Sequence, residues 1–179
     1  MKQSRQRTST TDERDSVDRF LDQWDQSLVE LDPAVEGIVD RIHTLAKRIR
    51  QSADETFDEF GLNYGEWKVL HVLRLSGPPH RLSPGRLAEQ STLSTGAMTN
   101  RLDRLEEAGL VRRLPNPDDR RALLVELTPK GEEVWRAATA AQAEKEVAFA
   151  SALSQREREE LNRLLRRLML VFERERHHA

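Results

Sequence analysis

A short stretch near the middle of the chain combines small polar side chains, a glycine and a cation in a pattern suited to contact with nucleic-acid bases. Thr95, Gly96, Thr99, Asn100 and Arg104 lie between apolar residues that recur every three or four positions. In a helix, that spacing turns the apolar residues inward and the polar residues outward, near the N-terminal end. Short hydrogen-bonding groups in this place can reach base edges in a major groove. Glycine destabilises a helix by about 1 kcal/mol relative to alanine, so its simplest function here is to let a base or a backbone come near.

Positive charge concentrates in the segment that follows this stretch. Arg112, Arg113, Arg120 and Arg121 flank residues 115–119, whose proline, asparagine and aspartate content predicts a turn between two strands. A narrow minor groove attracts arginine, and the tip of a hairpin can follow that groove. A solvated hairpin whose charges pair with one another is the alternative interpretation.

Capping and turn residues predict the elements that must position these side chains. Ser83 and Ser94 each place a hydroxyl at a helix start, where backbone N–H groups also bind phosphate well. The predicted order is a helix over 62–75 capped by Asn63, a short strand at 81–82, a helix over 84–90, a turn at 91–93, a helix over 94–108 with Met98, Leu102 and Leu105 inward, and strands over 110–114 and 122–127 with Glu126 outward. Two helices joined by a short turn and followed by a hairpin form a winged helix-turn-helix.

Long amphipathic helices are predicted on both sides of this unit. Residues 1–15 have no periodicity and predict a disordered tail, whereas apolar residues around Trp24 predict a helix over 16–30. A helix of about 28 residues with a narrow apolar stripe is predicted from Pro33 to just before Gly61. Two more helices are predicted over 129–149 and from 155 onward, the second opened by a capping box. We therefore divide the chain into a tail (1–15), N-terminal dimerisation helices (16–61), a DNA-binding domain (62–128) and C-terminal dimerisation helices (129–179).

Composition limits the classes of function. The 179 residues are 34% charged and 37% hydrophobic, which favours thin helices that complete their burial against a second copy of the chain over one deep core. Charge is uneven: residues 1–61 carry 9 basic and 14 acidic side chains, and residues 62–128 carry 10 and 8. This difference suits a middle region that meets phosphate, although ordinary surface patterning explains it equally well.

Several kinds of chemistry are excluded by what the sequence lacks. The chain has no cysteine, which removes disulfides, thiolate zinc sites and cysteine nucleophiles. It has no apolar run near the roughly 18 residues of a membrane helix and no secretory signal at its start, so we expect a cytoplasmic protein. Without a glycine-rich phosphate loop, a nucleophile–base pair or clustered histidines, we expect neither an enzyme nor a bound cofactor or metal.

Four motifs in register carry a family resemblance. They are Leu87-Ala88-Glu89, the run over residues 94–111, Asp119-Arg120-Arg121 and Leu127-Thr128-Pro129-Lys130-Gly131. Over about residues 33–172 the chain closely resembles the MarR family of bacterial transcription regulators. The resemblance implies a mainly α fold with a small β wing, in which long N- and C-terminal dimerisation helices flank the winged helix-turn-helix. It also implies a homodimeric, sequence-specific regulator, expected to be a repressor, that binds a pseudo-palindromic operator.

The resemblance assigns specific functions to the wing. It implies that Arg121 enters the minor groove and that Asp119 orients it. Many family members carry Asp-x-Arg just before this aspartate, whereas this chain has residues 116–118, Asn-Pro-Asp. The predicted DNA-binding residues are Ser83, Ser94, Thr95, Gly96, Thr99, Asn100, Arg101, Arg104, Arg113, Asp119, Arg120 and Arg121.

A small anionic aromatic effector is a further implication of the resemblance. Many relatives bind such a ligand between the leading helix, the 62–75 helix and the recognition helix; the candidate residues here are Trp24, His43, Trp67, His71 and Arg101. Arg101 would hold the anion and an aromatic ring would stack on it. A core position is the more ordinary interpretation of Trp67 and of either histidine. The added helix with Trp24 resembles the urate-responsive branch, but Lys68 stands where that branch has an aspartate, so urate itself is not expected.

One alternative function remains open from the sequence. A winged-helix protein can serve as an interaction scaffold or as an architectural DNA-binding protein without a ligand response. The arginines of the hairpin and the polar face at Thr99 and Asn100 favour sequence-specific DNA binding.

Overall fold

The structure is a computed structural model that describes residues 13–24, 30–117, 119 and 122–176. Its elements in order are α1 (Ser16–Asp22), α2 (Pro33–Asp58), α3 (Tyr64–Leu75), β1 (Arg81–Leu82), α4 (Pro84–Ser91), α5 (Thr95–Glu107), β2 (Val111–Pro115), β3 (Leu123–Leu127), α6 (Pro129–Ala150) and α7 (Gln155–Arg176). Residues Met1–Gln51 and Ser52–Ala179 form two compact units. Among the described residues, no helix is both long and apolar enough to cross a bilayer.

In the first unit, ionic contacts attach α1 to α2. Asp15 caps α1, its carboxylate accepting from the backbone N–H groups of Val17 and Asp18. Arg41 of α2 donates to Asp15 at 2.8 Å and to Asp18 at 2.5 Å. The hydrogen bonds from the Arg41 side chain and from the Asp18 backbone hold the pKa of Asp15 at about 2. The start of α1 is thus fixed to its own chain by charge.

The predicted helix over 16–30 is wrong in its length. Helix α1 ends at Asp22, Gln23 is its C-cap, and Trp24 lies beyond the helix with 36% of its surface exposed. Asp22 places a negative charge at the C-terminal end of the helix, where the helix dipole disfavours it. Residues 25–29 and the predicted tail up to residue 12 lie outside the described residues. The predicted domain division stays a prediction; the two compact units meet within α2, at Gln51 and Ser52.

The second unit contains a winged helix-turn-helix, as predicted. Helices α3, α4 and α5 enclose a core to which the three-stranded antiparallel sheet, in the order β1-β3-β2, contributes Val111 and Val125. Met98, Leu102 and Leu105 of α5 are each 1% exposed, which confirms the predicted inward face of that helix. The predicted helix and strand starts are confirmed within about two residues, because local caps specify them.

A junction between the end of α5 and the start of α6 occupies the Leu-Thr-x-x-Gly motif. The Thr128 hydroxyl accepts from the Gly131 N–H at 3.0 Å and donates to the Gly109 carbonyl at 2.8 Å. Lys130 Nζ donates to the Ala108 carbonyl at 2.7 Å. These bonds satisfy carbonyl groups that the last turn of a helix otherwise leaves unpaired. We call these contacts the α5–α6 junction.

The apolar stripes of the long helices have no cover within their own unit. In α7, every residue described from 159 to 174 is exposed, including Leu161 and Leu168 at 44% and Phe172 at 61%. The last turns of α6 are exposed as well, with Val147 at 67%. Contiguous apolar surface on this scale is typical of an interaction site.

Gly131 provides a test of the α5–α6 junction. A Cβ on this residue would overlap the Leu110 carbonyl oxygen, a backbone atom that cannot turn aside. We expect Gly131→Ala to lower the free energy of unfolding by about 1–3 kcal/mol, measured by thermal or urea denaturation. Gly85→Ala is the matched control, because a Cβ there meets nothing within 4 Å. Equal stability of the two variants would contradict the close approach at Gly131.

Candidate nucleic-acid interface

The N-terminal half of α5 presents the outward face that the sequence predicted. Gly96, Thr99 and Asn100 are exposed, on the side of the helix opposite the core. A Cβ on Gly96 would meet no atom of the protein within 4 Å, so the glycine is not required by packing. Ser94 caps the helix, its hydroxyl accepting from the Ala97 N–H at 3.3 Å. The side chain of Thr95 lies outside the described residues.

The other predicted helix start has the same construction. The Ser83 hydroxyl accepts from the Arg86 N–H at 3.4 Å, and Pro84 occupies the first helical position of α4. The turn between α4 and α5 places Thr92 in the left-handed conformation at φ 57°, after which Leu93 donates back to the Ala88 carbonyl at 2.9 Å. Both helices joined by the short turn therefore begin at a serine cap, as the sequence predicted.

Arg101 and Arg104 turn toward α3. Arg101 donates to the Ala97 carbonyl at 3.0 Å, and its guanidinium lies so close to Gly65 that a Cβ there would overlap Nε. Arg104 lies 3.5 Å from the carboxylate of Glu66, although its side chain remains 72% exposed. Both arginines border an open cleft of about 460 Å³, which Asn63, Glu66, Asn100 and Asp103 also line. Arg104 can still face a nucleic acid, whereas Arg101 is engaged with α3.

Glu66 is a buried carboxylate with two structural contacts. It accepts from the Asn63 N–H at 3.0 Å while the Asn63 side chain accepts from the Glu66 N–H at 3.0 Å, which completes the predicted capping box of α3. Its side chain is only 7% exposed, and Arg104 of α5 is its cationic partner. The start of α3 and the recognition helix are therefore joined through one carboxylate.

At the base of the wing, arginines lie on both faces of the sheet. On the outer face, Arg81, Glu126 and Arg112 occupy neighbouring positions of β1, β3 and β2, and Glu126 binds both guanidinium groups. Burial acts to raise the pKa of Glu126, but hydrogen bonds from Arg112 and Arg81 outweigh it and the pKa lies below its usual value. Glu126 thus lies on the outer face, as predicted, but the residue is only 8% exposed because two arginines cover it.

Arg113 lies on the opposite face, against α5. Its guanidinium contacts Asp103 and Glu106 at 2.5 Å each. Together with the outer face, three arginines meet three carboxylates, so the base of the wing carries no net positive charge. Asp119, at the wing tip, is exposed and its carbonyl accepts from the Ala122 N–H at 2.9 Å. Arg120 and Arg121 lie outside the described residues.

The predicted ligand residues Trp67 and His71 belong to an aromatic stack. Trp67 lies parallel to Phe57 at a centroid distance of 4.7 Å and is stacked on His71 at 4.8 Å; His71 in turn lies 6.0 Å from Trp135. The Trp67 indole N–H donates to Thr139 of α6 at 3.0 Å. The stack thus packs the end of α2, α3 and α6 together, as a core position predicts.

The remaining predicted ligand residues lie elsewhere. Arg101 lies against Gly65, and Trp24 and His43 belong to the unit Met1–Gln51. Sequence reasoning missed Trp135 and Thr139, because their contacts depend on how α6 packs against α3, across more than sixty positions of sequence. Within the part of the chain that the structure describes, no group of three histidine or acidic side chains is arranged to hold a metal ion.

Comparison with known proteins identifies the family. A sequence model of the MarR family matches residues 62–123. The chain is 29% identical over 152 residues to the HTH-type transcriptional regulator PecS of Dickeya dadantii, covering 85% of this chain and 92% of PecS. It is 31% identical over 124 residues to the HTH-type transcriptional regulator MgrA of Staphylococcus aureus, covering 69% of this chain and 81% of MgrA. The chain belongs to the MarR family.

Solved structures of MarR from E. coli agree with this assignment. A cysteine-to-serine mutant of that protein is 27% identical, with a TM-score of 0.64, over 73% of this chain and 94% of the other. The same mutant complexed with operator DNA is 24% identical over the aligned region, with a TM-score of 0.62, over 80% and 96%. The predicted family and winged-helix fold are confirmed. This MarR-family chain is a DNA-binding transcription regulator and not an enzyme.

His71 makes the stability of this MarR-family protein sensitive to acid. Burial lowers the pKa of His71 below its ordinary 6.5. At a pH between the lowered pKa of His71 in the folded chain and its ordinary pKa in the unfolded chain, the unfolded chain binds a proton that the folded chain does not. The free energy of unfolding therefore falls as the pH drops through this range.

We expect His71→Phe to retain the stack and to lose less stability than the wild type between about pH 7.5 and pH 5. Thermal melts across that range measure the difference. His43→Gln, at an exposed position of α2, is the control and should follow the wild-type profile. Parallel profiles of wild type and His71→Phe would show that His71 does not carry the dependence.

Proposed function

We propose that this MarR-family regulator is a homodimeric repressor that reads a pseudo-palindromic operator with the N-terminal half of α5. The observation that carries this proposal is the exposed face at Gly96, Thr99 and Asn100, opposite a fully buried apolar face. Gly96 leaves open space where a base or a backbone can approach. Because a dimer on an operator covers the DNA beneath it, we infer repression where the operator overlaps a promoter.

The charge of the described residues supports a division of tasks on the DNA. The base of the wing is electrically balanced, so its arginines contribute little net attraction for phosphate. The capped starts of α4 and α5 supply backbone N–H groups and positive dipole ends for phosphate contacts. We infer that α5 reads the bases and that the wing tip contacts the minor groove. The family resemblance assigns that minor-groove contact to Arg121. The operator complex of E. coli MarR, which shares the fold, supports DNA as the partner.

Exposed apolar stripes on α2, which include Ile38, Ile42 and Ile49 at 38–54% exposure, and on α7 support a dimer. In α7, Leu161, Leu165, Leu168 and Phe172 recur at one-face helical spacing, and each is 39–61% exposed. A two-fold axis between such helices would place two α5 helices about one DNA turn apart. An interface of this kind completes the burial that the chain alone does not achieve.

Release by a small anionic effector remains a prediction from the resemblance. The ring of Trp67 already stacks on Phe57, the ring of His71 contacts Trp135, and the guanidinium of Arg101 lies against Gly65. An effector would therefore act by favouring a conformation of the dimer whose wings do not fit the groove, which requires different affinity for the two states. Titration of aromatic acids into the protein–operator complex tests it.

The proposed function is tested by titrating the protein into a labelled fragment of its own upstream region at several salt concentrations. Saturable binding that resists competitor DNA, with a footprint of two half-sites, is expected. Binding that any DNA displaces equally would instead indicate an architectural protein. No binding at low salt would favour the interaction scaffold.

Gly96→Ala separates stability from DNA reading. Since the added methyl group meets nothing in the protein and alanine favours helices, we expect a free energy of unfolding higher by up to about 1 kcal/mol. Operator affinity should fall, because the methyl group enters the space reserved for DNA, while affinity for unrelated DNA should change little. Denaturation and competition binding measure the two effects. An operator affinity equal to that of the wild type would remove Gly96 from the interface.

Leu168→Lys tests the dimer. Leu168 lies at the centre of the α7 stripe, so a buried lysine there should convert the protein to monomers at micromolar concentration, as measured by sedimentation equilibrium. Leu170→Lys is the matched control, because Leu170 points to the opposite side of the same helix and is 38% exposed. Equal assembly states of the two variants would contradict an α7 interface.

A further inference from the structure

Arg113 joins the first strand of the wing to the recognition helix through a two-carboxylate clamp. Its Nη1 lies 2.5 Å from Glu106 and its Nη2 2.5 Å from Asp103. Its backbone N–H also donates to Glu106, at 2.9 Å. Both acids belong to α5, three residues apart and therefore on neighbouring turns. We call these three contacts between Arg113 and the two acids the wing clamp.

The wing clamp leaves Arg113 little capacity to bind phosphate. The side chain is only 25% exposed, and its two carboxylate partners leave the cluster with a net negative charge. A phosphate that approached it would meet two carboxylates as well as one guanidinium. Burial acts to lower the pKa of Arg113, but the hydrogen bonds that Arg113 donates to Asp103 and Glu106 outweigh it and raise the pKa above its usual value, so the side chain stays charged.

The positions of the two acids indicate that the wing clamp fixes the angle between β2 and α5 and does more than hold the two elements together. The planar guanidinium contacts two acids on successive turns, so a rotation of β2 against α5 must break both contacts together. Two further polar contacts of α5 lie on other sides: Arg104 pairs with Glu66 of α3, and Lys130 binds the carbonyl of Ala108 at the C-cap. Among the described residues, the wing clamp is thus a polar contact that fixes the orientation of β2 relative to α5.

We propose that Arg113 is a positioning residue that holds the wing at the angle needed for α5 and the wing tip to bind DNA together, and that it does not contact phosphate. This inference rests on the proposed function, since it concerns how the two parts meet one operator. It replaces the sequence-based expectation that Arg113 binds DNA directly.

The slope of affinity against salt tests the proposal. A lost phosphate contact lowers the slope of log K against log salt by about 0.9, or about two for both protomers of a dimer. We expect Arg113→Gln to weaken operator binding by roughly tenfold, with the slope and the affinity for unrelated DNA unchanged. Arg112→Gln, on the opposite face of β2, loses the same charge and should retain the operator preference. A reduced slope in Arg113→Gln alone would overturn the proposal.

Exchange of the charges distinguishes positioning from contact. In the double variant Arg113→Glu with Glu106→Arg, one cation still lies among two acids, so operator affinity should return to within about threefold of the wild type. A phosphate contact would not return, because position 113 would then be negative. Failure of the double variant to exceed the single Arg113→Glu variant in operator affinity would overturn the proposal.

Hydrogen exchange tests the clamp without DNA. In Arg113→Gln, amides of β2 and β3 should exchange at least several-fold faster, while amides of α3, which lies outside the clamp, keep the wild-type rates. Unchanged exchange in the wing would overturn the proposal even if DNA binding were altered. If the wild type bound no DNA, the proposed function would fail, and the exchange rates would still decide whether Arg113 holds the wing.

Discussion

Three apolar side chains of α5, Met98, Leu102 and Leu105, determine which side of that helix turns away from the protein. Each is almost fully buried. Successive residues of a helix are rotated by about 100° around its axis. The burial of these three side chains therefore fixes the direction in which each remaining residue of α5 points. The sector opposite them carries Gly96 and Asn100. The two flanking sectors carry the charged residues that meet α3 on one side and the wing on the other.

Those charged residues mostly serve to orient neighbouring elements. Glu66 joins α3 to α5, Glu126 joins the three strands, and Arg41 joins α1 to α2. Partly exposed ion pairs of this type contribute little to stability, typically below about 1 kcal/mol each. They fix angles between elements, because a guanidinium donates its hydrogen bonds to carboxylates in its own plane. This arrangement explains how a chain rich in charge can have a DNA-binding region of nearly balanced charge.

The parts of this structure that local sequence determines could be predicted, and those that depend on tertiary pairing could not. Helix starts at Asn63, Ser83, Ser94 and Thr128 are confirmed, because each cap bonds to residues only three positions away. The buried face of α5 followed from periodicity in the same way. By contrast, the covering of Glu126 depends on strand register and on two arginines distant in sequence. In the candidate site, the outward face of α5 was visible in the sequence, whereas the partners of Arg113 were not.

The α5–α6 junction has a mechanical consequence. Thr128 and Lys130 tie the last carbonyls of α5 to the first turn of α6, and Gly131 brings the backbones into direct contact. Helix α6 has 22 residues and is therefore roughly 33 Å long. It can act as a lever arm: a tilt of about 5° around its far end displaces the end of α5 by roughly 3 Å, close to the rise of one base pair. A small change in the orientation of α6 and α7 would thus produce a larger displacement of α5 relative to the DNA, with no change of conformation inside the winged helix.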